Sequence, residues 1–177
     1  AYHEAGHAVC AAVVPHADPL HKVTILPIGM ALGVTQQLPA EDRHSYDQQY
    51  LEDRLCIAMG GRMAEDIVFD VMSTGGSNDL VTSTELARKM VREWGMSERI
   101  GPMAFGSQGA VFLGEDLMHS RDYSDRTAHV MDEEVERILR LQEDRTRETL
   151  RKWRKGLDAV AASLLENETI DGAEVVR

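Results

Sequence analysis

The stretch AYHEAGHAVCAAVV, residues 1–14, decides the fold because it combines small apolar residues with two histidines. Its apolar pattern predicts a buried helix, which Pro15 ends because proline cannot continue the hydrogen-bond ladder. A second apolar pattern predicts a long helix at residues 47–69, with Gly60 and Gly61 in its middle. Two mid-helix glycines cost about 2 kcal/mol of helix propensity. We therefore expect these glycines to pack closely against another helix, the one at residues 1–14.

The rest of the sequence predicts a mainly α-helical (α+β) fold with a small β-sheet near the N-terminus. Alternating β-branched residues predict strands at residues 21–27 and 30–38, joined by a short turn. Gly33 inside the second strand indicates close approach by another backbone. Ser45 and Gln48 have the spacing of a capping box before the long helix. Further helices are predicted at residues 79–94, 124–150 and 154–166, and an irregular Gly-rich segment at 101–114.

Length and composition narrow the class of protein. The 177 residues suit a single domain covering residues 1–177. The net charge of −11 disfavours nucleic acid as a partner, because an acidic surface repels the phosphate backbone. Cys10 and Cys56 fall in apolar helical patterns and are predicted to be buried, reduced thiols. The sequence has no apolar run of the roughly 18 to 20 residues that cross a bilayer. Because a helical pattern starts at residue 1, we expect a fragment of a longer chain.

Residues 3–7 form the motif HExxH. On a helix, His3 and His7 lie one turn apart on the same face, so both imidazoles can reach one ion at about 2.0–2.1 Å. Glu4 projects about 100° around the helix axis from His3. Its carboxylate can therefore accept a proton from a water at the ion without binding the ion itself. The alternative is two ordinary helix histidines, but uncoordinated imidazoles on a buried helix are costly. The motif in this context predicts Zn²⁺.

A catalytic zinc site takes three protein ligands and leaves one position open, so a third ligand is required. The HExxHxxGxxH extension is absent, and His16 and His21 lie beyond the predicted end of the first helix. Two carboxylates compete: Glu65 in the long helix, and Asp79 at the start of the next helix. The ordinary alternative is a surface or ion-paired residue for Glu65, and a charge favoured by the helix dipole for Asp79. Spacing alone does not choose between them.

A family resemblance covers residues 1 to about 172. It is carried by HEAGH (3–7), DPLHKVTILPIGMALGVTQQLPAEDRHSY (18–46), GGRMAEDIVF (60–69), TGGSNDLVTSTELARKMVREWGMSE (74–98), GPMAFG (101–106), VFLGEDL (111–117) and DYSDRTAHVMDEEV (122–135). These stretches closely resemble the peptidase domain of the FtsH family, which are membrane-anchored AAA+ zinc metalloproteases. Gly76 departs from the family pattern, where alanine is usual, and is expected to loosen the approach to Asp79. His119 lies in a segment that is usually more basic.

The resemblance implies a ligand set, a substrate site and an assembly. It places the third zinc ligand at Asp79 and leaves Glu65 as a residue that orients a histidine. The family is mainly α-helical with a small sheet and assembles as a hexamer. Its LGVT strand borders the active-site cleft, so this strand is expected to pair with an extended substrate backbone, unless it is an ordinary sheet strand. The strand residues concerned are Leu32, Gly33, Val34 and Thr35.

The residues and the resemblance together predict a zinc metalloendopeptidase that hydrolyses unfolded or translocated proteins. Glu4 is the expected general base, taking a proton from the attacking water and delivering it to the leaving amine. The sequence contains no GxxxxGK[ST] motif. The resemblance therefore implies that ATP acts through other parts of the protein, which also anchor it at the cytoplasmic face of the bacterial inner membrane. The alternatives are a non-catalytic helical oligomerisation module with a structural or vestigial metal site, and a free-standing zinc hydrolase.

Overall fold

The computed structural model describes residues 1–29, 31–39, 44–105 and 123–176. His119 and the part of the Gly-rich segment after residue 105 lie outside the described residues. The described helices are α1 (Tyr2–Val13), α2 (Gln48–Phe69), α3 (Ser77–Arg92), α4 (Asp125–Lys152), α5 (Arg154–Asn167) and α6 (Gly172–Val175). The strands are β1 (Leu20–Thr24), β2 (Val34–Gln37) and β3 (Thr169–Asp171), and a 3₁₀ turn covers Thr74–Gly76. The predicted mainly α-helical fold with a small sheet is confirmed.

The chain divides into two compact units. The first unit comprises Ala1–Ser83 and Leu141–Arg177 and contains every residue predicted for the site. The second unit is Thr84–Arg140, where the buried Glu134 carboxylate accepts hydrogen bonds from the Ser97 hydroxyl at 2.7 Å and from Arg137 at 3.0 Å. Among the described helices, none combines the length and the apolar character that a membrane span requires.

Helices α1 and α2 pack at backbone contact in the first unit. A Cβ atom built on Gly60 would lie 2.6 Å from the backbone oxygen of Gly6, which is closer than real Cβ contacts allow. The close packing predicted for the glycine pair is therefore confirmed. Around this contact, the apolar core gathers small residues of α1 with larger side chains of α5, namely Leu157, Val160 and Leu164.

The two cysteines lie in this core as free thiols, as predicted. Cys10 and Cys56 have no exposed surface, and the Thr146 hydroxyl donates to the backbone oxygen of Cys56 at 3.2 Å. The hydrogen bond with Cys56, together with burial, holds the pKa of Cys10 well above its ordinary value. Cys10 is therefore a neutral thiol at physiological pH and packs as a small apolar side chain.

The sheet has β1 in the centre, with β2 and β3 antiparallel on either side. Val23 of β1 lies opposite Thr35 of β2 and opposite Ile170 of β3. Both predicted strands exist but are shorter than their sequence patterns, since β2 begins only at Val34. β3 was not predicted, because three residues are too few to display a period-2 alternation.

The starts of α2 and α3 differ from the sequence predictions. The Asp47 carboxylate accepts from the backbone N–H of Tyr50 at 2.8 Å, so Asp47 is the N-cap and the capping box assigned to Ser45 is wrong. Ser45 lies too far upstream, because α2 begins at Gln48 and an N-cap is the residue immediately before the helix. α3 begins at Ser77, two residues earlier than predicted, because the 3₁₀ turn runs directly into it.

The glycine contact generates a stability prediction. We expect Gly60→Ala to lower the free energy of unfolding by about 1–3 kcal/mol, because the new methyl group overlaps the backbone of α1. Gly156→Ala is the matched control, since a Cβ atom at this helical position meets nothing within 4 Å. It should raise that free energy by up to about 1 kcal/mol. Urea unfolding of the two variants measures both changes, and equal effects would contradict the role of the contact.

Candidate metal centre

α1 places the two histidines of HExxH side by side. The Nε2 atoms of His3 and His7 are 3.1 Å apart, as the one-turn spacing predicts. Gly61 of α2 lies directly against both rings. A Cβ atom there would be 2.6 Å from the Nε2 atoms of both histidines. The bare backbone of Gly61 therefore leaves the space that the two imidazoles occupy.

Asp79 is brought to the histidines by the first turn of α3. Its Oδ2 atom lies 3.3 Å from Nε2 of His3 and 3.5 Å from Nε2 of His7. Gly76 precedes this turn, and a Cβ atom on it would meet its neighbours only at 3.6–4.0 Å, which is ordinary contact. An alanine would thus fit at residue 76, and the approach of Asp79 does not depend on the glycine.

Both imidazoles have their outer nitrogen engaged, which fixes the state of the inner one. Nδ1 of His3 lies 3.1 Å from Oε1 of Glu65, and Nδ1 of His7 lies 2.7 Å from the backbone oxygen of Ile57. These partners are acceptors, so in each neutral imidazole Nδ1 carries the proton and Nε2 presents a lone pair. Glu65 is itself held, since the Ser73 hydroxyl donates to its Oε2 atom at 2.8 Å. Two nitrogen lone pairs and one carboxylate oxygen therefore face one another.

The size of this triangle suits a tetrahedral metal ion. Ligands about 2.0–2.1 Å from a tetrahedral centre lie about 3.3–3.4 Å from each other. The observed edges are 3.1, 3.3 and 3.5 Å. In the searched, described part of the chain, His3, His7 and Asp79 are the one group of three residues whose donor atoms converge in this way. Two imidazoles and one carboxylate are a donor set that Zn²⁺ accepts. These three residues could hold a divalent cation.

The electrostatics of the triangle reflect its convergent acceptors. The hydrogen bond with Asp79 raises the pKa of His3 above its ordinary value, against the opposing effect of burial. Burial alone would raise the pKa of Asp79, but the hydrogen bonds from His3 and His7 outweigh it and hold that pKa well below its ordinary value. A proton on the imidazoles thus relieves the repulsion among the three acceptors when no cation does so. Protons and a cation therefore compete for this position.

Glu4 lies beside the triangle and points toward β2. Its Oε2 atom accepts a hydrogen bond from the Thr35 hydroxyl at 2.9 Å. Glu4 is not one of the three converging residues, in line with the position of HExxH glutamate around the helix axis. A carboxylate beside a bound cation can accept a proton from a water on that cation.

The predicted substrate strand is the outer strand of the sheet. Among the described residues, β2 pairs only with β1, so its other edge has free backbone groups. Leu32 and Gly33 precede the strand, and the Leu32 side chain is 81% exposed. An exposed edge of this kind is able to pair with another extended chain.

The two remaining histidine candidates do not join the centre. His16 donates its backbone N–H to the buried Asp53 carboxylate at 2.9 Å, and its Nδ1 atom lies 3.1 Å from the same oxygen. His21 is exposed on β1.

Sequence reasoning missed two supports of the centre. Gly61 had a signal in the mid-helix glycine pair, whereas the backbone oxygen of Ile57 had none.

Comparison with known proteins gives consistent matches over the whole chain. A family model described as peptidase family M41 matches residues 1–177. An ATP-dependent zinc metalloprotease FtsH of Acidimicrobium ferrooxidans is 66% identical over 177 residues, which are 100% of this chain and 27% of the relative. A protein of the same name from Nitrosococcus oceani is 50% identical over 176 residues, covering 99% of this chain and 28% of the relative. The chain thus spans little more than a quarter of the length of these relatives.

The geometry predicts how each carboxylate contributes to cation binding. Asp79→Ala removes a donor atom, and we expect more than about a hundredfold loss of Zn²⁺ affinity. Glu65→Ala removes only the partner of His3, so the loss should be about 10- to 100-fold. Competition with a chromogenic chelator, using the full-length protein, measures both dissociation constants. His16→Ala is the control and should leave affinity unchanged. A larger loss in Glu65→Ala than in Asp79→Ala would make Glu65 the ligand.

Proposed function

The chain belongs to peptidase family M41, and on that premise we propose that residues 1–177 are the zinc metallopeptidase domain of a longer ATP-dependent protease. The observation that carries the proposal is the triangle of lone-pair donors on His3, His7 and Asp79, with Glu4 beside it. In this proposal these three residues hold Zn²⁺, and Glu65 orients His3. The reaction is hydrolysis of peptide bonds in protein substrates.

Each residue has a chemical task in this proposal. Zn²⁺, when bound, supplies a Lewis acid that makes a water acidic near neutral pH and polarises the scissile carbonyl. His3 and His7 keep their Nε2 lone pairs inward because Glu65 and the Ile57 carbonyl hold their Nδ1 protons. Glu4 takes a proton from the attacking water and passes it to the leaving amine. Only three donors converge within the described residues, which leaves room for water and favours a catalytic role over a closed structural site.

The substrate site proposed here is the edge of β2 with the residues that lead into it, Leu32 and Gly33. A substrate in extended conformation would add to this edge through backbone hydrogen bonds, which recognise any sequence. Two observations support this site: β2 has no second partner strand in the described sheet, and Glu4 contacts Thr35 of the same strand. A substrate on β2 would therefore lie next to the base.

The proposal also covers the longer protein of which this chain is a part. The names of the relatives describe ATP-dependent enzymes about four times as long as this chain, which supports an ATPase elsewhere in the protein. The resemblance to the FtsH family further implies a hexamer anchored at the cytoplasmic face of the bacterial inner membrane. Light scattering of the full-length protein in detergent tests the hexamer, and a monomer would count against it.

The base assignment predicts a sharp effect of one isosteric substitution. Glu4→Gln should retain bound Zn²⁺ and lower turnover of an unfolded protein by at least about a hundredfold, because the amide cannot accept the proton. Elemental analysis and hydrolysis of a fluorescently quenched unfolded protein give the two readouts. The matched control is Glu166→Gln on the exposed face of α5, which should match the wild type. Retained turnover in Glu4→Gln would remove Glu4 as the base.

The substrate site predicts a dependence on backbone N–H groups of the substrate. In peptide substrates, N-methylation two residues from the scissile bond should raise KM by about tenfold with little change in kcat, because it removes a strand-pairing donor. The same modification at the peptide terminus is the control. An unchanged KM with the internally methylated peptide would argue against pairing on β2.

A further inference from the structure

The side chains of β2 alternate between two faces, and one face is directed at the carboxylate of Glu4. Gly33 comes immediately before β2, two residues from Thr35, which lies within the strand. Both contact Glu4. We propose that Thr35 is a positioning residue that fixes the carboxylate of Glu4 for proton transfer, with Gly33 providing the space in which that carboxylate lies. This inference rests on the proposed function, because it assigns Thr35 to the support of its general base.

The hydroxyl of Thr35 is placed to hold Glu4 at two atoms. Oγ1 lies 2.9 Å from Oε2 of the carboxylate and 3.2 Å from the backbone oxygen of Glu4. The shorter contact is to a charged acceptor and is the stronger hydrogen bond. A glutamate side chain otherwise has several rotamers to choose from, and this hydrogen bond favours one of them. Thr35 itself is held in register by the pairing of β2 with β1, opposite Val23.

Gly33 makes this arrangement sterically possible. A Cβ atom at residue 33 would lie 2.8 Å from both Cγ and Oε1 of Glu4 and 2.9 Å from the backbone oxygen of Thr24. Any side chain there would have to displace the glutamate or push β2 away from β1. The absence of a side chain at residue 33 and the hydroxyl at residue 35 therefore both favour the observed position of the Glu4 carboxylate.

The arrangement distinguishes the two oxygens of Glu4. Oε2 accepts from Thr35, whereas Oε1 has no hydrogen bond to any residue in the described ranges. Oε1 is thus the oxygen left to accept the proton of the attacking water. Because the proposed substrate edge belongs to the same strand, the base is fixed relative to the backbone on which the substrate pairs. Reaction rates depend strongly on such alignment, and a displacement of 1 Å can cost about a hundredfold.

Thr35→Val tests this role in the full-length protein, because valine keeps the shape and the backbone groups but removes the hydroxyl. We expect kcat for a quenched peptide to fall by about tenfold or more, the effect of losing a hydrogen bond to a charged group. KM should stay within about twofold, and Zn²⁺ content should be unchanged. Thr35→Ser restores the hydroxyl and should recover kcat to within about threefold. If Thr35→Val does not fold, Thr35→Ala and Thr35→Ser make the same comparison.

The matched control is Thr169→Val, which removes a hydroxyl from the opposite outer strand of the same sheet. Among the described residues, the Thr169 hydroxyl bonds to that of Thr24, at 2.7 Å, and this variant should keep the wild-type kcat. The positioning role is overturned by a wild-type kcat in Thr35→Val, by an effect confined to KM, or by equal losses in the serine and valine variants. If Glu4→Gln is inactive while Thr35→Val is fully active, only this inference fails. If Glu4→Gln is active, the proposed function fails with it.

Discussion

Helices α1 and α2 meet at backbone contact, and the candidate metal centre depends on this contact. Three residues of α2 spaced four apart, Ile57, Gly61 and Glu65, form one stripe that faces the two histidines of α1. The Ile57 carbonyl accepts from His7, Gly61 leaves room for both rings, and Glu65 accepts from His3. This stripe can reach the imidazoles only because the helices touch at Gly6 and Gly60. The orientation of the two histidines thus depends on the close packing of α1 and α2 at the glycines.

The orientation of the imidazoles brings three acceptor atoms together, and their mutual repulsion is relieved in the protein alone only by protonation of the imidazoles. Each Nδ1 atom donates a hydrogen bond to an acceptor on α2, so in the neutral rings the Nε2 lone pairs face the Asp79 carboxylate. The raised pKa of His3 and the lowered pKa of Asp79 both result from this arrangement of acceptors. A divalent cation would relieve the same repulsion without a proton, and it fits the tetrahedral spacing of the three atoms. In the proposed zinc site, Glu65 and the Ile57 carbonyl would contribute to cation affinity without touching the cation.

The sequence predicted the local parts of this structure well and the non-local parts poorly. The helix α1, the i,i+4 histidines and the packing of Gly60 follow from helix geometry, which operates over a few residues. The choice between Glu65 and Asp79 depends on how α2 and α3 return to α1, which spacing along the chain does not encode. The resemblance to a family placed Asp79, the family was confirmed by the comparisons, and the structure brings Asp79 to the histidines. The backbone oxygen of Ile57 carries no sequence signal at all, because every residue has one.

Within the described sheet, the outer edge of β2 has no partner strand, which fits the binding role proposed for it. Outer strands are commonly protected by charged residues, proline or a covering element, since a free edge invites pairing with other chains. The four residues of β2, VTQQ, contain neither charge nor proline, and Leu32 just before them is largely exposed. Within the described residues, an edge strand without charge or proline lies next to Glu4, as the proposed pairing of extended chains requires. The Thr35 hydroxyl of the same strand touches the carboxylate that, in this proposal, acts on the paired chain.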